Sequence, residues 1–269
     1  MKAKQFNGKA IYNPSSKAGE YSYLACNFYV GCSNGCTYCY CKKGILAGAM
    51  GGDIPTLKKC FKDEQHALQV FEKELKVNLP ELQRHGLFFS FTTDPMLKKT
   101  IWLTQQAVYL CMKYNISVKI LTKMAGWEDN DYGFIADKKL NKKLISIGFT
   151  ITGHDELEPN ASTNAERIEA MRELHEAGFR TWASIEPIID FTSSKAMILA
   201  TYCFCDLYKI GLESGKKYDK KHLEAWTEQA TTWIKSKIYF KDSLLKAAGI
   251  NRSDLPKNCV SRDYNMFND

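Results

Sequence analysis

Three cysteines close together between glycines constrain this chain more than any other stretch: Gly31-Cys32-Ser33-Asn34-Gly35-Cys36-Thr37-Tyr38-Cys39-Tyr40. The C-x3-C-x2-C spacing lets three thiolates wrap one face of a cubane cluster if the loop folds back tightly. Gly31 and Gly35 supply the backbone freedom for that turn. Three ligands leave one iron open, and an open position is what separates catalytic from closed structural metal sites. Two other readings stand beside this one. Zinc would need a fourth ligand such as Cys41 or Cys26, although zinc loops usually come as paired C-x2-C units. Buried, unmetallated cysteines are the other, but polar-flanked cysteines between glycines are poor core material.

The chain has ten cysteines in 269 residues. A disulfide framework fits short secreted domains. Here the residues from Met1 to Gly8 lack the apolar stretch of a secretory signal, and no run approaches the roughly 18 apolar residues of a membrane helix. The expectation is a cytoplasmic protein, without a membrane partner, in which a subset of the cysteines binds metal. With 45% hydrophobic and 25% charged residues the chain has the composition of a globular protein with a real core. Its formal charge of +7 comes mostly from scattered lysine pairs such as Lys42-Lys43 and Lys142-Lys143. A solvated surface explains them; the charge permits a polyanionic substrate without requiring one.

Short apolar runs alternate with amphipathic stretches. Residues 21–30, 87–93, 117–122, 145–152, 180–188 and 207–212 read as strands, rich in β-branched or aromatic side chains. Leu103, Ala107, Leu110, Cys111 and Tyr114 recur at helical spacing, as do Ile168, Met171 and Leu174. Thr163 with Glu166 reads as a capping box for the second of these helices, and Gly178 as its left-handed end. Six strands alternating with helices predict parallel pairing with right-handed crossovers, hence an α/β fold. Chemistry in such folds gathers at the carboxyl ends of the strands. A doubly wound sheet is the rival architecture.

The cysteine loop resembles the signature of the radical S-adenosylmethionine (SAM) superfamily. Its flanks resemble the spore photoproduct lyase-like branch, often labelled DNA repair photolyases. Asn27, Tyr29, Gly31, Cys32, Ser33, Gly35, Cys36, Tyr38, Cys39 and Tyr40 stand where that branch has N-x-Y-x-G-C-S-x-G-C-x-Y-C-Y. Val30, Asn34 and Cys41 depart from it, and none of these removes a cluster ligand. The resemblance continues at strand ends to about residue 190: Phe91-Thr92-Thr93-Asp94, Thr122-Lys123, Phe149-Thr150-Ile151-Thr152 and Glu186-Pro187-Ile188.

The resemblance implies a partial (β/α)6 TIM-type barrel over residues 1–212, with an α-rich C-terminal extension, 213–269, packed on it. It implies a [4Fe–4S] cluster on Cys32, Cys36 and Cys39, with SAM oriented by Tyr38, Thr93, Lys123, Thr150 and the backbone at Glu186. The reaction implied is reductive cleavage of SAM to a 5′-deoxyadenosyl radical that abstracts hydrogen from a substrate, fed by a flavodoxin- or ferredoxin-like one-electron donor. A nucleobase in DNA or RNA is the first candidate substrate. A peptide or small metabolite, and a non-catalytic zinc-binding interaction protein, are the alternatives. In the lyase itself a cysteine that returns hydrogen to the product stands where this chain has Phe91, so another donor is needed, and Tyr40, which matches a tyrosine of the radical relay, is one.

Other residues have plainer readings. Asp94 followed by Pro95 suits a helix N-cap. Arg167 is expected on an exposed helix face, His154 in solvent, and Cys203 in packing rather than, with Cys205 and Cys259, on a second cluster. Glu186 is costly to bury unless paired with a cation or hydrogen-bonded, which points it toward the site. The run Ile238-Tyr239-Phe240-Lys241 either closes the barrel base or forms the substrate side.

Overall fold

The computed structural model describes residues 5–44, 46–126 and 140–268; residues 1–4 of the N-terminal stretch lie outside it. The described chain begins with β1 (Ile11–Tyr12), β2 (Ala25–Cys26), β3 (Tyr29–Val30), α1 (Leu46–Met50), β4 (Thr56–Leu57), α2 (Glu64–Val77) and α3 (Leu79–His85). There follow β5 (Leu87–Phe89), α4 (Ile101–Lys113), β6 (Val118–Thr122), β7 (Ile145–Thr150), α5 (Asn164–Glu176), β8 (Arg180–Ile188) and α6 (Phe191–Thr201). The last elements are β9 (Leu207–Leu212), α7 (Lys220–Trp233), β10 (Lys237–Phe240) and α8 (Asp242–Ala248).

One sheet runs β1-β2-β5-β6-β7-β8-β9-β10, antiparallel only where β1 meets β2. Strand order follows chain order with no reversal, which excludes the doubly wound rival, whose sheet must switch direction. The helices follow the same progression: α2 packs on α4, α5 on α6, α6 on α7 and α7 on α8. Seven parallel strands wrapped by consecutive helices make a partial TIM-type barrel, open between β1 and β10.

Side chains alternate accordingly. Val118 and Ile120 of β6 join the outer core beneath the helices, whereas Leu121 packs inside the barrel with Tyr21, Phe88, Trp182 and Tyr239. Gly148 of β7 admits the Trp182 ring, since a Cβ there would lie 2.1 Å from it. The far end of the chain seals the barrel floor: Met266 is buried in the inner cluster, with Val260, Tyr264 and Phe267 packed on it. Val260 N–H donates to Ile238 O at 2.7 Å, which ties this tail to the free edge of β10. Among the described residues no helix is long and apolar enough to cross a membrane.

The strands predicted at 117–122, 180–188 and 207–212 are present, while that at 145–152 stops at Thr150. The predicted strand 21–30 breaks into β2 and β3, because the Asn27 side chain leaves the ladder to accept from Phe91 N–H and donate to Tyr12. The predicted strand 87–93 ends at Phe89, where Thr92 and Thr93 turn their hydroxyls onto Tyr29 O and Gly31 O. The segment after residue 212 supplies helices as expected and also β10, a seventh parallel strand paired with β9.

Candidate active site

A cavity of about 590 Å³ opens at the carboxyl ends of the parallel strands. Cys32, Cys36 and Cys39 line it, and so do Tyr38 and Tyr40 of the same loop. Thr93, Lys123, Thr150 and Glu186, which follow or end β5 to β8, line it too. The nine residues expected at the cluster, at SAM or in the radical relay thus share one chamber.

The cysteine loop is held from two sides. Gly31 N–H donates to Met50 O at 3.2 Å and Cys32 N–H to Gly52 O at 2.8 Å. Gly31 has φ +77°, and a Cβ there would stand 2.6 Å from Ile54 O, so both the conformation and the close approach require glycine. From the other side the loop after β7 clasps it. Thr37 N–H donates to Leu157 O at 3.0 Å, Asn160 N–H to Asn34 O at 3.2 Å and the Asn160 amide to Ser33 O at 3.0 Å.

Asp94 does not cap the next helix, which starts only at Ile101. Its carboxylate instead accepts from Asn34 Nδ2 (2.9 Å), Lys123 N–H (2.7 Å), Thr122 Oγ1 (2.6 Å) and Met96 N–H (3.0 Å). One acid thus fixes the cysteine loop against the ends of two strands. The Thr93 hydroxyl spends its hydrogen on Gly31 O at 2.7 Å, so toward the cavity it offers an acceptor.

Lys123 stands over the Tyr38 ring, 5.5 Å from its centroid, with its ammonium 4.0 Å from Glu158 Oε1. Glu158 is fully buried, takes the Tyr38 hydroxyl on the same oxygen, and pairs through the other with Arg167. Arg167 was expected in solvent; it is completely buried, and also donates to Thr150 O at 2.6 Å and Ser162 O at 2.7 Å. A guanidinium with each nitrogen satisfied can be buried. Glu158 carries no local signal in the chain, since its partners Tyr38, Lys123 and Arg167 come from three separate segments.

The thiols differ electrostatically. Burial pushes Cys32 up to about 11, with the Asp94 charge adding to it, and burial also raises Cys36. A hydrogen bond from Cys41 draws Cys39 down to about 6 against its own burial, and the Lys123 charge helps. All ten cysteines are free thiols, and Cys203 is exposed rather than packed. Among the described residues no three His, Cys, Asp or Glu side chains converge as a single metal ion would need. Cys32, Cys36 and Cys39 bring three thiols from one loop to the cavity, a donor type that both zinc and an iron–sulfur cluster accept.

Around Glu186 the cavity also carries Tyr21 and Lys241, which the sequence analysis does not assign to the site. Glu186 accepts from the Tyr21 hydroxyl at 2.6 Å and pairs with Lys241 at 2.9 Å, the cation its burial called for. Tyr21 stands edge-on to Phe91, centroids 6.0 Å apart. Tyr40 donates to Phe91 O and stays half exposed at the mouth. His154 lies outside the chamber, between Asp190 (2.6 Å) and Glu156 (2.7 Å), instead of free in solvent.

No family model matches the chain. It is 26% identical over 255 residues to an uncharacterised protein of Methanocaldococcus jannaschii, MJ0683, with 88% of each chain covered. Among solved structures it is similar to Streptococcus suis SuiB bound to S-adenosylmethionine, with a TM-score of 0.56, 13% identity, and 81% of this chain and 50% of that one covered. SuiB bound to the precursor peptide SuiA gives a TM-score of 0.50 at 14% identity, covering 70% of this chain and 46% of that one. The chain therefore spans about half the length of the solved chains it matches, and at these identities the likeness is one of fold.

Proposed function

We propose that this protein is a radical SAM enzyme that holds a [4Fe–4S] cluster on Cys32, Cys36 and Cys39 and binds SAM in the strand-end cavity. The observation that carries the reading is the convergence of nine residues, chosen from a sequence span of over 150 positions, on one chamber. The fold shared with SAM-bound SuiB supports it. The cluster and SAM together supply one-electron cleavage of a sulfonium and hydrogen abstraction from the substrate. The chain's own residues orient and enclose. Lys123 offers an ammonium to a carboxylate and Thr93 an acceptor to an ammonium, while Thr150 and Glu186 line the chamber along β7 and β8. Phe91, Leu121 and Tyr21 keep the chamber largely apolar, which excludes water and stray hydrogen donors.

For the substrate we favour a nucleobase in nucleic acid, on the motif resemblance and the net charge of +7. A peptide is the second reading, because the similar SuiB fold is known bound to a precursor peptide. A one-electron donor protein is the implied partner, and ten free thiols suit a reducing compartment such as the cytoplasm. The test is anaerobic reconstitution followed by dithionite and SAM. About four irons and four sulfides per chain, with 5′-deoxyadenosine formed by the wild type and not by Cys36→Ala, are expected. Zinc without labile sulfide, or nucleoside release that ignores Cys36, would overturn the reading. Absence of nucleic-acid binding even at low salt removes the first substrate and leaves the peptide.

A further inference from the structure

Glu158 and Arg167 form an ion pair with both side chains fully buried. Such a pair is a weak stabiliser compared with apolar side chains of the same volume, so its cost of burial asks for another consequence. Its contacts supply one. Glu158 holds the Tyr38 hydroxyl, inside the cysteine loop, and stands 4.0 Å from the Lys123 ammonium at the end of β6. Arg167 holds the carbonyl of Thr150 at the end of β7. Three of the five residues expected to orient SAM therefore rest on one pair. Leu157 and Asn160, the neighbours of Glu158, bond the backbone of the cysteine loop at Thr37 and Asn34.

We infer that the Glu158–Arg167 pair is a positioning device that fixes the cysteine loop and the Lys123 ammonium relative to each other, so that cluster and SAM carboxylate are presented in register. The inference rests on the radical SAM reading. Its physical basis is the separation between Glu158 and Lys123. At 4.0 Å the carboxylate steers the ammonium without capturing a hydrogen, and leaves those hydrogens for an anion in the cavity. Lysine and tyrosine side chains held in place before the ligand arrives lose less rotamer entropy when it binds.

The test uses the double variant Glu158→Leu/Arg167→Met, which removes both charges and leaves neither stranded, together with Tyr38→Phe, which keeps the ring at the site and removes the hydroxyl that Glu158 holds. Both are expected to load iron as the wild type does. Both should exchange the backbone amides of residues 33–39 faster and bind SAM more weakly, by about tenfold or more in the double variant. Both should show a smaller SAM-induced change in the electron paramagnetic resonance spectrum of the reduced cluster. Wild-type exchange, affinity and spectral change in the two variants would overturn the inference. If the double variant does not fold, the same result in Tyr38→Phe alone overturns it. If exchange rises in the variants while the wild type itself shows no SAM-dependent spectral change, the enzyme reading fails and the loop-holding role stands.

Discussion

Glu186 and Lys241 meet at 2.9 Å in the cavity wall, one on β8 and the other directly after β10, with Lys241 only 3% exposed. Gly211 of β9 makes room for them, since a Cβ there would lie 2.7 Å from Lys241 Cδ and 2.8 Å from Glu186 Cδ. The pair fastens the seventh parallel strand to the chamber.

Lys241→Met strands the Glu186 carboxylate. Removing one partner of a buried pair costs about 3–5 kcal/mol, and the 19% exposure of Glu186 places the expected loss toward the lower end. Urea denaturation measures it, and adding Glu186→Gln should restore part of it, since Lys241 also stands 3.8 Å from the buried Glu20 carboxylate. A single variant as stable as the wild type would show that the pair holds nothing.

Gly211→Ala should cost about 1–3 kcal/mol by overpacking. The added methyl drives the ion pair apart rather than straining the backbone, so the loss should shrink in the Glu186→Gln/Lys241→Met background. An equal loss in both backgrounds would place the strain elsewhere.

Cys36→Ala and Cys111→Ala make opposite changes. Cys111 is fully buried on α4 beneath the sheet, so its loss should lower stability by about 1–2 kcal/mol and leave iron content unchanged. Cys36→Ala should lose most iron with little effect on the apo protein. Equal iron in the two would remove Cys36 from the ligand set.

His154 links the loop after β7 to Asp190, the N-cap of α6. Burial opposes its charge, but hydrogen bonds to Glu156 and Asp190 outweigh that and raise its pKa. Its contribution is complete below the ordinary value of about 6.5 and fades as pH rises through the raised one. Asp190, also opposed by burial but held down to about 2 by Ser193 and His154, contributes above its ordinary value and fades toward that acid limit. His154→Ala should therefore cost most between about pH 4 and 6.5, and under about 1 kcal/mol, because Glu156 is mostly exposed. The same loss at pH 5 and pH 9 would show that the imidazole charge is irrelevant.

Strands buried along most of their length, such as Ile145–Thr150 and Arg180–Ile188, were legible because they are rich in β-branched and aromatic residues. The capping box at Thr163 and Glu166 was legible for a similar reason, being written within four residues. Residues 237–240 were noted but not recognised as a strand: four residues carry too little periodicity, and only the edge of β9 decides their state. The cysteine loop and the strand-end residues were readable because each lies beside a local motif. Glu158, Tyr21 and Lys241 were not, because what makes each matter is a partner far away in the chain.

Residues 260–267, which close the barrel floor, are translated after every strand they cover. Until they emerge, the inner aromatic face around Phe88 and Trp182 is open from below, so the lumen is finished only after its last strand has already been made. Once this stopper is seated, the described residues leave the chamber reachable past the rim that carries the thiols. On the proposed radical SAM reading, the small molecule, the electron donor and the substrate would meet at that rim, and the order in which they use it becomes a property of the architecture.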